Sequence, residues 1–183
     1  MRSYEFTTVA LSSFVTWAYA ADSFSLFAYG NGIGGLPVFS TGGDVFIGNF
    51  SSVGNPEAAP VLFTTGDNTW SGSPNTTGYA SDQSPTWSNL IFAVPGPSSS
   101  SHNVTLINGT ANAGDLVTSF SFYGSFVFVD EDGTLVSLWY GMPSDVDGVY
   151  SLGWNASSDD ASSDNILITL KRTPPSNPSN NAV

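Results

Sequence analysis

Apolar and polar residues alternate over short stretches of this chain, which is the pattern of β-strands whose side chains point to opposite faces. The longest such stretch is residues 119–140, and Asp132-Gly133 within it is a strong signal for a two-residue hairpin turn. A two-residue turn places Glu131 opposite Thr134, whereas a three-residue turn with a bulge would shift every pair by one. The pattern therefore predicts a long hairpin at the centre of the fold.

This hairpin is expected to be apolar on both faces. With the two-residue turn, Phe126 lies opposite Trp139, and the period of two sorts the large apolar side chains into two sets. One face collects Phe120, Phe122, Phe126, Phe128 and Trp139, and the other collects Val127, Val129, Val136, Leu138 and Tyr140. Two apolar faces suit a strand pair that is covered on both sides.

Shorter strands are predicted along the rest of the chain. They cover residues 23–28, 37–40, 45–49, 60–65, 90–94, 104–107, 116–118, 149–154 and 166–171. Residues 66–89 are rich in Gly, Ser, Thr, Asn and Pro and are expected to be mostly loop. No stretch keeps a helical period. The predicted fold is therefore all-β, a single-domain antiparallel β-sandwich, with a closed β-barrel or a trefoil-like fold as the alternative.

Residues 30–35 match the G-x-G-x-x-G pattern of dinucleotide-binding loops. Such a loop needs a helix directly after the glycines, because the N-terminus of that helix holds the phosphates. Here Leu36-Pro37 follows, which is strand-like and contains a helix breaker. We interpret the glycines as a connection between strands, and no cofactor is expected.

The two ends of the chain differ from its middle. Residues 1–21 resemble a secretory signal peptide, with Arg2 near the start and Ala18-Tyr19-Ala20 as a small-x-small cleavage site; an N-terminal core strand is the alternative. Residues 22–172 form the predicted β-rich domain. Residues 173–183, rich in Pro, Ser and Asn, form a predicted disordered tail. No later stretch has the roughly 18 continuous apolar residues that cross a bilayer.

Charged residues are rare and mostly acidic. They make up 10% of the chain, and the net charge is −12, whereas ordinary soluble domains carry roughly 25% charged residues. Once the predicted leader is removed, Lys171 and Arg172 are the only lysine and arginine left. Such a surface repels nucleic acid and anionic membranes, so neither is an expected partner. The chain has no cysteine, which excludes disulfides and thiol catalysis.

Five N-glycosylation sequons follow the predicted leader. Their asparagines are Asn49, Asn75, Asn103, Asn108 and Asn155. Because a glycan cannot enter a packed core, we expect exposed turns at these positions. The sequence therefore predicts a secreted glycoprotein.

Candidate catalytic groups are few. His102 is the only histidine and follows a serine-rich stretch, where a solvated loop position is expected. No serine has the G-x-S-x-G context, so a hydrolase triad is not predicted. A zinc or copper site needs several nitrogen or sulfur ligands, so none is predicted.

Carboxylates are the remaining chemistry. A glycoside hydrolase needs two of them beside the scissile bond. Asp130-Glu131-Asp132 offers adjacent acids, but Asp132 is expected to serve the hairpin turn and Asp44 another turn. Asp145, Asp147 and Asp159-Asp160 carry the oxygen ligands that calcium prefers, although solvated turns are the favoured interpretation and no metal site is predicted.

Trp70 and Trp87 lie in the stretch predicted to be polar loop. Exposed indoles among Asn, Ser and Asp stack on sugar rings, while the neighbouring polar groups bind hydroxyls. The alternative is that each indole covers one end of the core.

Two groups of motifs resemble known proteins. Residues 24–28, Ile33, Leu36-Pro37 and residues 42–48 resemble the start of secreted fungal cell-wall proteins of the phialide type. Residues 120–128, 137–140 and 147–155 look like secreted fungal proteins of unknown function. These motifs are strand and turn patterns. The resemblance therefore implies an extracellular fungal protein and assigns no functional residues.

Three functional hypotheses follow. The first is a secreted, N-glycosylated, non-enzymatic β-protein, extracellular or cell-wall-associated, whose partner is a wall polysaccharide or a host surface component. The second is a carbohydrate-binding module that uses Trp70 and Trp87. The third is a carboxylate-dependent glycoside hydrolase.

Overall fold

The computed structural model of the protein describes residues 22–66, 69–77, 84–109, 114–155 and 164–176. The predicted signal peptide, the acidic pair Asp159-Asp160 and the last seven residues, 177–183, lie outside the described residues. No helix in the described ranges is long and apolar enough to cross a bilayer.

In these ranges the chain forms strands joined by turns, and its one short helical segment is a 3₁₀ turn at Phe50–Val53. The strands are β1 (Ser23–Phe24), β2 (Phe27–Gly30), β3 (Ile33–Ser40), β4 (Val45–Ile47), β5 (Ala59–Thr65), β6 (Trp70–Pro74), β7 (Leu90–Pro95), β8 (Thr105–Ile107), β9 (Leu116–Val117), β10 (Phe120–Tyr123), β11 (Phe126–Glu131), β12 (Thr134–Val136), β13 (Trp139–Pro143), β14 (Tyr150–Trp154) and β15 (Ile166–Lys171). The pairings between named strands are antiparallel. The predicted all-β antiparallel class is confirmed.

Six of the strands close into a barrel. Its order is β2, β3, β4, β14, β13 and β15, and β15 pairs back onto β2. This ring realises the closed-barrel alternative. Gly32 (φ 74°) lies in the tight turn between β2 and β3, so the glycine motif connects strands as predicted.

The remaining strands add a second layer that faces β10 and β11 across an aromatic core. Strands β5, β6, β7 and β8 pair in that order and continue from β3. The ring of Trp70 on β6 stacks on Phe122 of β10 with centroids 4.7 Å apart, and Phe92 of β7 lies 4.7 Å from Phe120. Such pairs add about 0.5–1.5 kcal/mol each beyond the buried area. Facing layers of this kind are the sandwich-like part of the fold.

The hairpin turn at Asp132-Gly133 is confirmed. Glu131 pairs with Thr134, and both turn residues are left-handed, with φ 51° at Asp132 and 85° at Gly133. That combination is the type I′ turn which Asp-Gly favours. The carboxylate of Asp130 accepts a hydrogen bond of 2.8 Å from the backbone N–H of Gly133 and fixes the turn.

The predicted face assignment is wrong because the first arm of the hairpin contains another turn. Gly124 (φ 63°) and Ser125 form it, so that Tyr123 pairs with Phe126. The other cross-strand pairs are Phe120 with Val129, Ser121 with Phe128 and Phe122 with Val127. Phenylalanines and valines therefore share the buried face.

The expected pair of Phe126 and Trp139 does not form either. Trp139 pairs with Trp154 in the barrel, and Phe126 pairs with Lys171. The two valines of β11 are fully buried, whereas Phe126 is 40% exposed. The hairpin is thus covered on one face, and the prediction that both faces are covered is wrong.

Residues 66–89 are less loop-like than predicted. Strand β6 lies in this stretch and pairs with both β5 and β7. Its sequence, Trp-Ser-Gly-Ser-Pro, has little intrinsic strand preference, but Trp70 and Gly72 are buried. Burial under the aromatic core therefore overrides local propensity.

Candidate functional site

The predicted sugar-binding tryptophans are buried. Trp70 is 3% exposed and lies among the rings of the core. Trp87 is 8% exposed, covers Gly42 in the turn between β3 and β4, and its Nε1 donates a hydrogen bond of 2.9 Å to the carbonyl oxygen of Glu57. The expectation of exposed indoles is wrong. The alternative, that each indole covers part of the core, is correct for both tryptophans.

Glu57 holds the Trp87 loop in place, which the sequence did not reveal. Its carboxylate accepts a bond of 2.7 Å from the backbone N–H of Thr86, and the Thr86 hydroxyl lies 3.2 Å from both carboxylate oxygens. The two residues are 29 positions apart in the chain, so no local pattern could have connected them.

His102 is half-buried rather than solvated in a loop. Its Nδ1 lies 3.2 Å from the carbonyl oxygen of Trp154, and the backbone N–H of Trp154 donates to the carbonyl of His102. The imidazole borders one cavity of about 410 Å³ and another of about 540 Å³, and Asp164 lines the second. These contacts attach the loop before β8 to β14.

The other predicted acids lie at turns. Asp130, Glu131 and Asp132 surround the tip of the β11–β12 hairpin, and Asp145 and Asp147 are exposed in the turn before β14. Asp44 is exposed and its carbonyl accepts a bond from the Ser40 hydroxyl. Within the described ranges, no three His, Asp or Glu residues cluster closely enough to hold a metal ion.

The structure brings five side chains together on the outside of the β-sheet. They form what we call the aromatic face: Tyr29 on β2, Tyr123 on β10, Phe126 and Phe128 on β11, and Lys171 on β15. Phe126 lies directly opposite both Tyr123 and Lys171 in the strand register, and side chains of opposed residues share one face. Tyr123 is 74% exposed and Phe126 40% exposed.

Lys171 organises this face. Its Nζ lies 4.8 Å from the ring centroid of Tyr29 and 4.7 Å from that of Phe126, which are cation–π distances. Tyr123 and Phe128 meet edge to face with centroids 6.5 Å apart. The ammonium group thus lies beside two rings, and both rings keep part of their surface open to solvent.

A groove of about 460 Å³ runs beside the aromatic face. It is lined by Tyr29, Gly34, Ser125, Lys171, Thr173, Pro174, Pro175 and Ser176. Hydroxyls and backbone groups of this lining offer hydrogen bonds beside the apolar rings, the usual composition of a site for a small organic ligand.

Tyr29 is fixed at the border of the groove. Its hydroxyl donates a bond of 2.9 Å to the carbonyl of Thr173, and Pro175 packs at the neighbouring Gly35. Burial raises the pKa of Tyr29, so the fold favours the neutral phenol that donates this bond. Residues 173–176, the beginning of the predicted tail, thus form one wall of the groove.

Sequence reasoning missed the aromatic face because it placed Phe126 and Phe128 in the core. The available signal was Gly124-Ser125, a pair that often forms two-residue hairpin turns. A turn there reverses the chain and moves the next two phenylalanines to the outside.

The sequon asparagines fall into two groups. Asn103, Asn108 and Asn155 are exposed, as predicted. Asn49 and Asn75 are half-buried and line one common cavity.

Comparison with known proteins adds no relative: no protein-family model, no curated protein and no solved structure matches this chain.

Proposed function

We propose that the protein is a secreted, N-glycosylated, non-enzymatic β-protein of a fungal cell wall that attaches to wall polysaccharide through the aromatic face. The observation that carries this proposal is the set of partly open rings around Lys171, with Tyr123 74% exposed. Exposed aromatic side chains that lie together in one patch, rather than singly, are typical of binding surfaces.

Sugar rings fit such a surface. A pyranose ring has an apolar face of C–H groups that packs on an aromatic ring, and its hydroxyls need hydrogen-bond partners at the edge. The groove beside Tyr29 supplies such partners in Ser125 and Thr173. A sheet also presents its rings on a shallow surface, which suits an extended polymer more than a single sugar.

The charge of the protein selects the kind of polysaccharide. With a net charge of −12, the molecule repels polyanions such as uronic-acid polymers. Lys171 is held by two rings of the face itself. We therefore expect a neutral polymer, of the β-glucan or chitin type, as the partner.

The test is co-sedimentation of the purified protein with insoluble β-glucan, chitin and a uronic-acid polymer. Tyr123→Ala and Phe126→Ala should each weaken binding to the neutral polymer about fivefold, the effect of losing about 1 kcal/mol of stacking. Tyr123→Phe and Phe126→Tyr retain the ring and serve as matched controls that bind like the wild type. Wild-type protein that sediments with none of the polymers, or alanine variants that bind fully, would contradict the proposal.

A further inference from the structure

A second cavity, of about 450 Å³, borders β2 and β3, and its lining shares no residue with the groove. Its apolar lining includes Phe27, Pro37, Phe50 and Pro60, and two asparagines, Asn49 and Asn75, complete it. We call it the sequon pocket, because both asparagines belong to N-glycosylation sequons. Its volume lies in the range of sites that hold a bound organic molecule, about 300–1,000 Å³.

The two asparagines are held in the same way. The Oδ1 of Asn49 accepts a hydrogen bond of 3.1 Å from the N–H of Ser51, and the Oδ1 of Asn75 accepts one of 3.2 Å from the N–H of Thr77. Each bond holds the side-chain amide by its oxygen. The orientation of the amide is thereby fixed, and so is the position of Nδ2, the atom that carries a glycan. Asn155 and Asn103 are exposed and each borders a different cavity, whereas Asn49 and Asn75 are half-buried and share one cavity.

We propose that the sequon pocket is filled by the protein's own carbohydrate, the first sugars of the glycans on Asn49 and Asn75. The proposal rests on the secreted, glycosylated function proposed above and adds a structural role for the glycans. In the attachment step, Nδ2 attacks C1 of an oligosaccharide carried on a polyprenyl diphosphate. The N–C1 bond forms as the C1–O bond breaks, polyprenyl diphosphate leaves with the bonding electrons, and the amide loses one proton.

The chemistry of the pocket suits N-acetylglucosamine. The C–H face of the sugar packs on Phe27 and on the two prolines, and its hydroxyls reach Ser52 and Asp147 at the edge. Phe50 directly follows Asn49 and is 8% exposed, so the wall beside the attachment point is rigid and apolar. Apolar surface that water would otherwise cover is then buried by a group tethered at that position.

The test compares full-length protein made in a eukaryotic host that glycosylates with the same chain made in bacteria that do not. Ser51→Ala and Thr77→Ala each destroy one sequon but keep the asparagine and its bond to the backbone N–H. Thr110→Ala destroys the sequon of exposed Asn108 and is the matched control. Site occupancy is read by mass spectrometry and stability by the midpoint of thermal unfolding.

In the glycosylated protein, Ser51→Ala and Thr77→Ala should each lower the midpoint by about 2–4 °C, and Thr110→Ala should leave it unchanged. In the bacterial protein none of the three should change it, since there is no glycan to lose. Trimming each glycan to its first sugar should preserve the midpoint, whereas complete removal should lower it.

The outcomes that overturn the proposal are distinct from one another. If Asn49 and Asn75 both carry glycans but neither variant changes the midpoint of thermal unfolding, the structural role of the glycans alone would be refuted. Glycans on the exposed sequons but not on these two would refute the occupant of the sequon pocket and leave a secreted glycoprotein. An unmodified chain from the eukaryotic host would refute both this proposal and the glycosylated function.

Discussion

At the scale of single residues, one tight contact in the barrel is the packing of a tyrosine ring on a glycine. The ring of Tyr140, 2% exposed, lies across Gly153 of β14, and a methyl group added at Gly153 would lie 2.6 Å from Cε2 of that ring. The backbone of Gly153 also bridges to Asn103 in the loop before β8. The buried ring and the paired backbone of Gly153 are therefore both held in place, and neither can move away from the other.

We expect Gly153→Ala to lower the free energy of unfolding by about 1–3 kcal/mol, the cost of overpacking a rigid site. Urea denaturation would measure it. Gly43→Ala is the control, because no heavy atom lies within 4 Å of a methyl group there. Equal stability of the two variants would mean that Tyr140 can shift without cost.

Tyr29 should make the protein sensitive to alkali. Burial places the pKa of Tyr29 in the folded state above its ordinary value, about 10. The fold thus favours the neutral phenol, and this contribution to stability is fully present below about pH 10 and is lost as the pH rises through the folded-state pKa. Chemical denaturation at a series of pH values would show stability falling on the alkaline side.

Tyr29→Phe should remove that part of the alkaline decline in stability. Tyr123→Phe, which removes an exposed phenol, is the control and should leave the decline in place. An alkaline decline of the same size in Tyr29→Phe and in the wild type would contradict the assignment to Tyr29.

At the scale of elements, the sequence located the strands better than it located their partners. The predicted strand over residues 166–171 coincides with β15, because alternate apolar residues, Ile168 and Leu170, must be supplied to the buried face. Register depends on turns. Asp132-Gly133 clearly predicts a turn, whereas Gly124-Ser125 lies among aromatic residues that continue the strand pattern on both sides.

The candidate site was unpredictable for the same reason. A shift of pairing by one residue moves every side chain of a strand to the opposite face. Because one turn was missed, Phe126 was predicted in the core, whereas the structure places it on the surface. Likewise, β6 has the composition of a loop, and only its position between β5 and β7 makes it a strand. Long-range pairing of this kind leaves no mark in a local window.

The turn at Gly124 should be a sensitive point of the hairpin. Its φ of 63° is left-handed, so we expect Gly124→Ala to cost about 1 kcal/mol in the free energy of unfolding. Gly34→Ala is the control, since Gly34 has neither a left-handed φ nor a heavy atom within 4 Å of an added methyl group. Two variants that unfold at the same urea concentration would contradict the strain argument.

At the scale of the whole molecule, electrostatic repulsion opposes the folded state. The net charge is −12, and Lys171 and Arg172, the only lysine and arginine in the described ranges, both lie over aromatic rings. Few attractive ion pairs therefore offset the repulsion between carboxylates.

Sodium chloride should accordingly stabilise the protein at neutral pH. Raising its concentration from about 0.01 M to about 0.5 M shortens the screening length several-fold and should raise the midpoint of thermal unfolding by a few degrees. Sucrose at equal osmolality separates screening from general solute effects. A midpoint that falls with salt would show that attractive pairs dominate.

The pairing of β15 with β2 has a consequence for biosynthesis. These strands are about 140 residues apart in the chain, and residues 28 and 170 lie opposite each other. The ring cannot be completed until the ribosome has released Ile166–Lys171, so earlier segments must wait as an open sheet with an unpaired edge. Contacts so distant in sequence also slow folding, which gives chaperones a long interval in which to hold this chain.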